Sequence, residues 1–266
     1  MTRLAMPQKT GPCASSTASA RAFPLLERLQ SYVPMTDAET EFLRGLHEPR
    51  RKLPRHREII VAGRRYDTLF ILCEGFVSRY KVLPDGKRQV LNLGLPGDLM
   101  GFPSCLFQVA VSSVSSLTDV VIAPLSFATL FGMFTHFPRL AAALFWSSAC
   151  EIAMDGEHLV DLGRRSAYER LAHLILELLV RLRAAGLAGE LSYMLPLTQE
   201  LMADVLGLSG PHINRMIRCL REEGLVTIED QRVVVHDLAS LSSLAGFEEG
   251  YLIPRPMPVF PSGAVQ

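Results

Sequence analysis

Between residues 197 and 225 the chain reads LTQELMADVLGLSGPHINRMIRCLREEGL. His212, Asn214, Arg215, Arg218 and Arg221 crowd into one short stretch of it. These side chains match what nucleic acid presents. An arginine fork fits the two acceptors of a guanine edge, an asparagine amide fits an adenine edge, and further arginines neutralise phosphates. Arg215 suits a guanine, Asn214 an adenine, and Arg218 and Arg221 the phosphates. Other chemistry finds no support. No nucleophile stands beside a base motif, no Gly-rich loop is built to cradle phosphate, and no His or Cys spacing matches a metal site.

The elements that must position these side chains are legible around them. Thr198 stands where an N-cap belongs, ahead of a helix with Leu201, Met202, Val205 and Leu206 on one face. Gly207 ends that helix as a left-handed glycine does. Ser209 is a second N-cap, and Pro211 sits in a first turn, where a missing N–H costs little. Ile213, Met216, Ile217 and Leu220 repeat at helical spacing and turn the polar residues to the opposite face. Two short helices joined by a Gly-containing turn fit a helix-turn-helix, whose second helix enters the major groove. Residues 226–228 and 232–235, around Glu229-Asp230-Gln231, read as a two-stranded wing with Arg232 near a phosphate. A helical hairpin with a solvated arginine face fits the same residues. From 187 to 247 there are four arginines against eight acids, so phosphate binding must rest on the local stripe.

Upstream, short β-branched runs at 59–61, 68–72, 76–82, 89–93, 109–116 and 120–123 alternate with turn signals such as Pro84-Asp85-Gly86, the best hairpin candidate. That texture predicts a β-sandwich or roll. A long helix is expected from Pro138 to about Gly163. A heptad-spaced seam through Phe145, Ser148, Ile152, Asp155, Leu159 and Leu162 predicts that it dimerises, with Phe145, Ile152, Leu159 and Leu162 as contacts. A helix packed on its own roll is the competing reading. Leu171, Leu174, Ile175, Leu178, Leu179 and Leu182 predict a further amphipathic helix, and 184–193 a loop. Thr36 and Glu39 form a capping box for a helix from Asp37.

The chain has 266 residues, enough for one or two domains, and 48% hydrophobic content excludes a mostly disordered protein. Lys plus Arg is 27 and Asp plus Glu is 27, which argues against a histone-like binder. No run reads as a membrane span or a signal peptide, so a cytoplasmic protein is expected. Cys13, Cys73, Cys105, Cys150 and Cys219 are scattered without CxxC spacing, which argues against disulfides and zinc. An iron–sulfur cluster needs about four thiolates, and Cys73, Cys105 and Cys150 sit among apolar residues as core cysteines do, so none is expected. Haem stays open, with His47, His56, His136 and His158 as candidates by residue type. Cys219, flanked by Arg218 and Arg221, is a candidate redox switch and otherwise a small packed residue.

Taken in order, YKVLPDGKRQVLNLGLPGDLMG at 80–101, LTDVVIAPLSFATL at 117–130, GRRSAYERLAHLILEL at 163–178 and LPLTQELMADVLGLSGPHINRMIRCLREEGLV at 195–226 resemble the Crp/Fnr family of bacterial transcription regulators. The resemblance spans roughly residues 22–247 and is closest to the oxygen- and nitrogen-responsive branches. It implies an α+β chain. A double-stranded β-helix or jelly-roll-like sensor domain (21–134) would lead to a dimerisation helix (135–163) and a winged helix-turn-helix (164–247). A disordered lead-in (1–20) and a Pro-rich tail (248–266) would flank them. It implies a non-enzymatic homodimer on a pseudo-palindromic duplex, with RNA polymerase as partner if it activates. Thr198, Ser209, His212 and Arg218 fall on backbone-contacting positions and Arg215 on the guanine-reading arginine. Gly210 and Pro211 replace two frequent contact residues. The family's cyclic-nucleotide binders carry Gly-Glu and Arg-Ser steps where this chain has Gly101-Phe102 and Ala110-Val111. Asp155 and Gly156 replace the purine-contacting hydroxyls. A buried phosphate without its arginine is costly, so no tight cyclic-nucleotide binding is expected. Two other readings stay open: a redox or haem-based gas sensor that still reads DNA, and a ligand-binding module whose DNA function is lost.

Overall fold

Alternation along two strands explains how one chain builds a roll and buries it on both sides. In β3 (Thr68–Glu74), Leu69, Ile71 and Cys73 face one way and Leu72 the other. In β8 (Val120–Ser126), Val121, Ala123 and Leu125 oppose Val120 and Ile122. Side chains two apart share a strand face, so these strands serve two cores at once. The computed structural model describes residues 23–253. β1 (Arg51–Leu53), β8, β3 and β6 (Leu99–Met100) form one sheet. The second has the order β2 (Glu58–Ile60), β7 (Ser113–Ser116), β4 (Val77–Val82), β5 (Arg88–Gly94). Ile60, Leu72, Val77, Met100, Val114, Val120 and Ile122 fill the space between the sheets. The outer face of the first sheet is covered by α1 (Pro24–Gln30), α2 (Asp37–Gly45), α4 (Phe127–His136) and the start of α5 (Pro138–Gly163).

Local signals set the boundaries. Thr36 and Glu39 exchange capping-box bonds at the start of α2. Between β4 and β5 the amide of Gly86, at φ +84°, donates to Leu83 O at 2.9 Å, closing the turn at Pro84-Asp85-Gly86. Gly75 is obligatory for a steric reason too. At φ +84°, a Cβ there would lie 2.3 Å from the carbonyl oxygen of Asp119.

The third core belongs to the C-terminal part. α6 (Ala167–Ala184) starts at a Ser166–Glu169 capping box and buries Leu171, Leu174, Ile175, Leu178, Leu179 and Leu182. Against it pack α7 (Gln199–Leu206), α8 (Gly210–Glu222), β10 (Val226–Glu229), β11 (Arg232–Val235) and α9 (Leu238–Ala245), together with Val90 and Leu93 of β5.

Several expectations needed adjusting. The run 109–116 is strand only over Ser113–Ser116, and a short helix, α3 (Phe102–Leu106), precedes it. The loop at 184–193 contributes β9 (Ser192–Met194), which pairs with β11, so the wing sheet has three strands in the order β10-β11-β9. The exposed stripe of α5 is offset by about one residue from the expected seam. Phe145, Ile152 and Leu159 project outward, each at least 70% exposed, with exposed Ala149 and Gly156 between them. Ser148 and Asp155 are half-buried, and Asp155 pairs with Arg79 of the roll at 3.1 Å. Leu162 lies at the helix end, against Gly207. A 3₁₀ turn at Glu249–Tyr251 stands where a tail was expected. The lead-in at 1–20, Cys13 and the prolines from Pro254 onward lie outside the described residues.

Candidate nucleic-acid interface

The two faces of α8 divide as an amphipathic helix should. Ile213 and Leu220 are buried, and Met216 and Ile217 pack on the third core. Pro211, Asn214, Arg215, Arg218, Arg221 and Glu222 are exposed along one stripe, and His212 is half-buried beside it. The side chains of Asn214 and Arg215 make no hydrogen bond or ion pair among the described residues. Arg218 pairs with Glu222 at 2.9 Å, with both side chains largely exposed. Such a pair is weakly held and leaves the guanidinium free to exchange a carboxylate for a phosphate.

The helix before it is set by its caps. The Thr198 hydroxyl accepts from the Leu201 amide at 3.1 Å, and Gly207 at φ +64° closes α7 and redirects the chain. Ser209 occupies the N-cap of α8, but its side chain makes no capping bond, so its hydroxyl faces solvent uncommitted. In the wing, Glu229 pairs with Arg232, leaving Asp230 and Gln231 as a two-residue turn, both at positive φ, the geometry that suits a right-twisted hairpin. Arg232 is exposed and donates to Ser192 Oγ at 3.3 Å. The structure thus brings His212, Asn214, Arg215 and Arg218 onto one helix. It sets Thr198 and Ser209 at the N-termini of the two helices and Arg232 at the base of the wing turn.

The roll interior differs in kind. Ala110 is buried among Ile60, Val114 and Ile122, and its N–H donates to Arg64 O at 2.7 Å. Phe102 packs on the helix-side core. Apolar side chains thus line the space between the sheets. A cavity of about 210 Å³ opens elsewhere, between β5, α5, α6 and α7. The polar groups on its wall have partners: Arg79 with Asp155, and His158 and Arg181 with Glu177.

The other candidate groups are also committed. His47 is fully buried, its Nδ1 2.8 Å from Leu43 O and its Nε2 accepting from the Leu25 amide; burial, above all, lowers its pKa. His56 accepts from Arg55, and His136 Nδ1 lies 2.8 Å from Gly132 O. Burial pushes the Cys73 thiol up to about 11 and raises Cys105 and Cys150 as well, which suits packed, unreactive thiols. Cys219 is half-buried on α8.

A charged cluster at the α5–α6 joint escaped the sequence reading. His158 Nε2 is 2.8 Å from Glu177 and its Nδ1 3.2 Å from Leu91 O. His173 Nδ1 is 3.1 Å from Asp161, which also pairs with Arg165 at 2.8 Å. The available signals were Glu177 itself, a lone acid inside the apolar run Leu174–Leu179 that is only 1% exposed, and the i,i+4 spacings Glu177–Arg181 and Asp161–Arg165. Burial disfavours its charge. The hydrogen bond from His158 and the fields of His158 and Arg181 outweigh that and hold the carboxyl down at about 2.

A β-roll joined by a long helix to a winged helix-turn-helix defines a class of regulator that couples a sensor-type domain to a DNA reader. Comparison with known proteins places the chain within that class. A Crp-like helix-turn-helix domain matches residues 169–244 and a cyclic nucleotide-binding domain matches residues 50–136. The transcriptional activator protein FnrL of Cereibacter sphaeroides is 30% identical over 192 residues, covering 71% of this chain and 77% of that one. A probable transcriptional activator of Rhizobium leguminosarum bv. viciae is 30% identical over 199 residues, covering 74% and 82%. The solved structure of FixK2 from Bradyrhizobium japonicum superposes with a TM-score of 0.67 at 24% identity, covering 73% of this chain and 96% of that one. The chain belongs to the Crp/Fnr family of transcription regulators, a family of DNA-binding proteins rather than enzymes. Among the described residues no helix is long and apolar enough to cross a membrane.

Proposed function

We propose that this chain regulates transcription as a homodimer on a pseudo-palindromic duplex, without a cyclic nucleotide as its effector. The observation that carries the reading is the exposed stripe of α8, in which Asn214 and Arg215 stand unpaired opposite a buried apolar face. With α8 in the major groove, Arg215 reads a guanine and Asn214 an adenine. Thr198, Ser209, His212 and Arg218 hold phosphates, and Arg232 reaches a phosphate from the wing. Phe145, Ile152 and Leu159, exposed on α5, are the dimer seam, with Leu162 at its end. Large apolar side chains in a row at that exposure are costly in a lone chain and typical of an interface. Buried Ala110 where a cyclic phosphate needs a cation, and Asp155 tied to Arg79, support the effector claim. Two relatives are named as activators, which supports contact with RNA polymerase at the promoter, in the cytoplasm.

Selection of binding sites from a random duplex pool with purified, ligand-free protein tests this. A recovered palindrome with half-sites about one helical turn apart is expected. An empty selection, or recovery only with added cyclic nucleotide, would overturn it.

A further inference from the structure

The DNA-reading part is tied to the roll along one strand. β5 is the edge strand of its sheet, with β4 on one side only. An edge exposes backbone donors and acceptors unless something covers it. Here the C-terminal part and the end of α5 cover it. Leu91 O lies 3.2 Å from His158 Nδ1 on α5, and Leu93 O accepts from Arg181 of α6 at 2.6 Å. Asn92 Oδ1 accepts from the same guanidinium at 3.1 Å. At the start of the strand, Arg88 donates to Asp204 of α7 at 2.6 Å, and the Gln89 side-chain amide donates to Val205 O at 3.0 Å.

The contacts converge on the turn that sets the direction of α8. The last carbonyls of a helix have no partner within it. In α7, Gln89 takes Val205 O, and Arg170 of α6 takes Leu206 O at 2.9 Å. Gly207 follows at once. A Cβ there would stand 3.2 Å from Leu162, so the end of α5 also presses on this turn. Arg88 is itself held, its guanidinium 5.6 Å from the Tyr80 ring centroid, while the Tyr80 hydroxyl donates to Glu58 at 2.6 Å.

We propose that Arg88 and Gln89 on the roll, with Asp204 and the Val205 carbonyl on α7, form a positioning latch that holds the recognition helix at a fixed angle to the roll without a bound effector. The proposal rests on the DNA-reading function above and names residues that set the reader's orientation. The segment 164–166 links α5 to α6, and His158–Glu177 and Arg181–Leu93 O hold α6. The Arg88–Asp204 and Gln89–Val205 contacts reach α7 itself, so their loss lets α7 and α8 sample further orientations. The reader's apparent dissociation constant rises as the inverse of the fraction in the competent orientation. Arg88 and Asp204 act on that fraction and touch no DNA.

The test uses the full chain and charge reversal. Arg88→Glu and Asp204→Arg should each weaken binding to the selected duplex about tenfold and speed amide exchange across residues 204–212. The double variant, with the pair inverted, should bring both readouts back to within about threefold of the parent. Gln89→Ala, which keeps the charges, should give a smaller loss of the same kind. Thermal melts confirm that each variant is folded. Unchanged affinity and exchange in the single variants, or a double variant no better than either, would overturn the latch. Should the parent bind no duplex, the DNA-reading function fails. Exchange then decides the latch alone, and protection that persists in Arg88→Glu overturns it.

Discussion

In the proposed function, Arg215 is the residue on which sequence readout turns. It stands exposed on α8 without a partner among the described residues, at a spacing that the apolar positions Ile213, Met216, Ile217 and Leu220 dictate. Arg215→Ala should cost about 1–3 kcal/mol in binding and relax one position of the half-site. Competition against single-base variants of the duplex checks this. A loss uniform across sequences, with a shallower salt dependence, would make Arg215 a phosphate contact instead. The identity and outward direction of this stripe were legible in the sequence, because a 3.6-residue period leaves one choice once the apolar face is known. The pairing of Arg218 with Glu222 is permitted by i,i+4 spacing but not dictated by it. The uncommitted Ser209 hydroxyl was invisible, since its type alone suggested a capping bond.

At the scale of elements, the joint between α5 and α6 gathers titratable groups from two helices and a backbone acceptor from β5. Burial opposes a charge on His158, but the hydrogen bond to Glu177 and the field of that carboxylate outweigh it. Arg181 opposes and Asp161 supports the charge, and the pKa stands above the usual 6.5. His173 and Glu157, 3.7 Å apart, stand close by. Both ring nitrogens of His158 face acceptors, Leu91 O and Glu177, so the imidazolium fits the site. A raised folded pKa means that its stabilisation is complete below about pH 6.5 and fades as pH rises through the folded value. Glu177 works in the opposite sense, contributing above its usual 4.5 and losing that contribution as pH falls toward about 2. Urea unfolding should therefore show this pair's contribution at full strength from about pH 4.5 to 6.5. The decline on the alkaline side should flatten in His158→Gln. An equally steep decline in that variant would refute the assignment.

For the whole molecule, the exposed face of α5 and the filled roll make separate predictions. Ile152→Glu places a charge in the centre of the proposed seam, where Ile152 is 72% exposed in the single chain. Sedimentation should show monomers, and affinity for a two-half-site duplex should fall by about a hundredfold or more as avidity is lost. A dimer of undiminished affinity would move the interface elsewhere. Cyclic AMP or cyclic GMP should leave the unfolding midpoint unchanged, because a ligand present at 100 times its dissociation constant would add about 2.7 kcal/mol. A clear midpoint shift with either nucleotide would restore a cyclic-nucleotide site.

The sequence by itself determined the elements whose period is strong and whose caps are local: the two reader helices between Thr198 and Glu222, α6, the capped α2 and the Gly86 hairpin. Each rests on interactions within a few residues, so residue order suffices. Tertiary structure decided what depends on distant partners. β9 joins the wing because Ser192–Met194 pairs with Arg232–Val234, about 40 residues on. Asp155 is half-buried on α5 rather than part of its exposed apolar stripe, because it pairs with Arg79, 76 positions away. Glu177 could be buried because His158 of α5 meets it there, beside its i,i+4 neighbour Arg181. The α7 turn is gripped by Arg88 and Gln89, each reaching across 116 positions. A period or a cap is written in neighbouring residues, whereas a long-range ion pair exists only once both elements have been brought together.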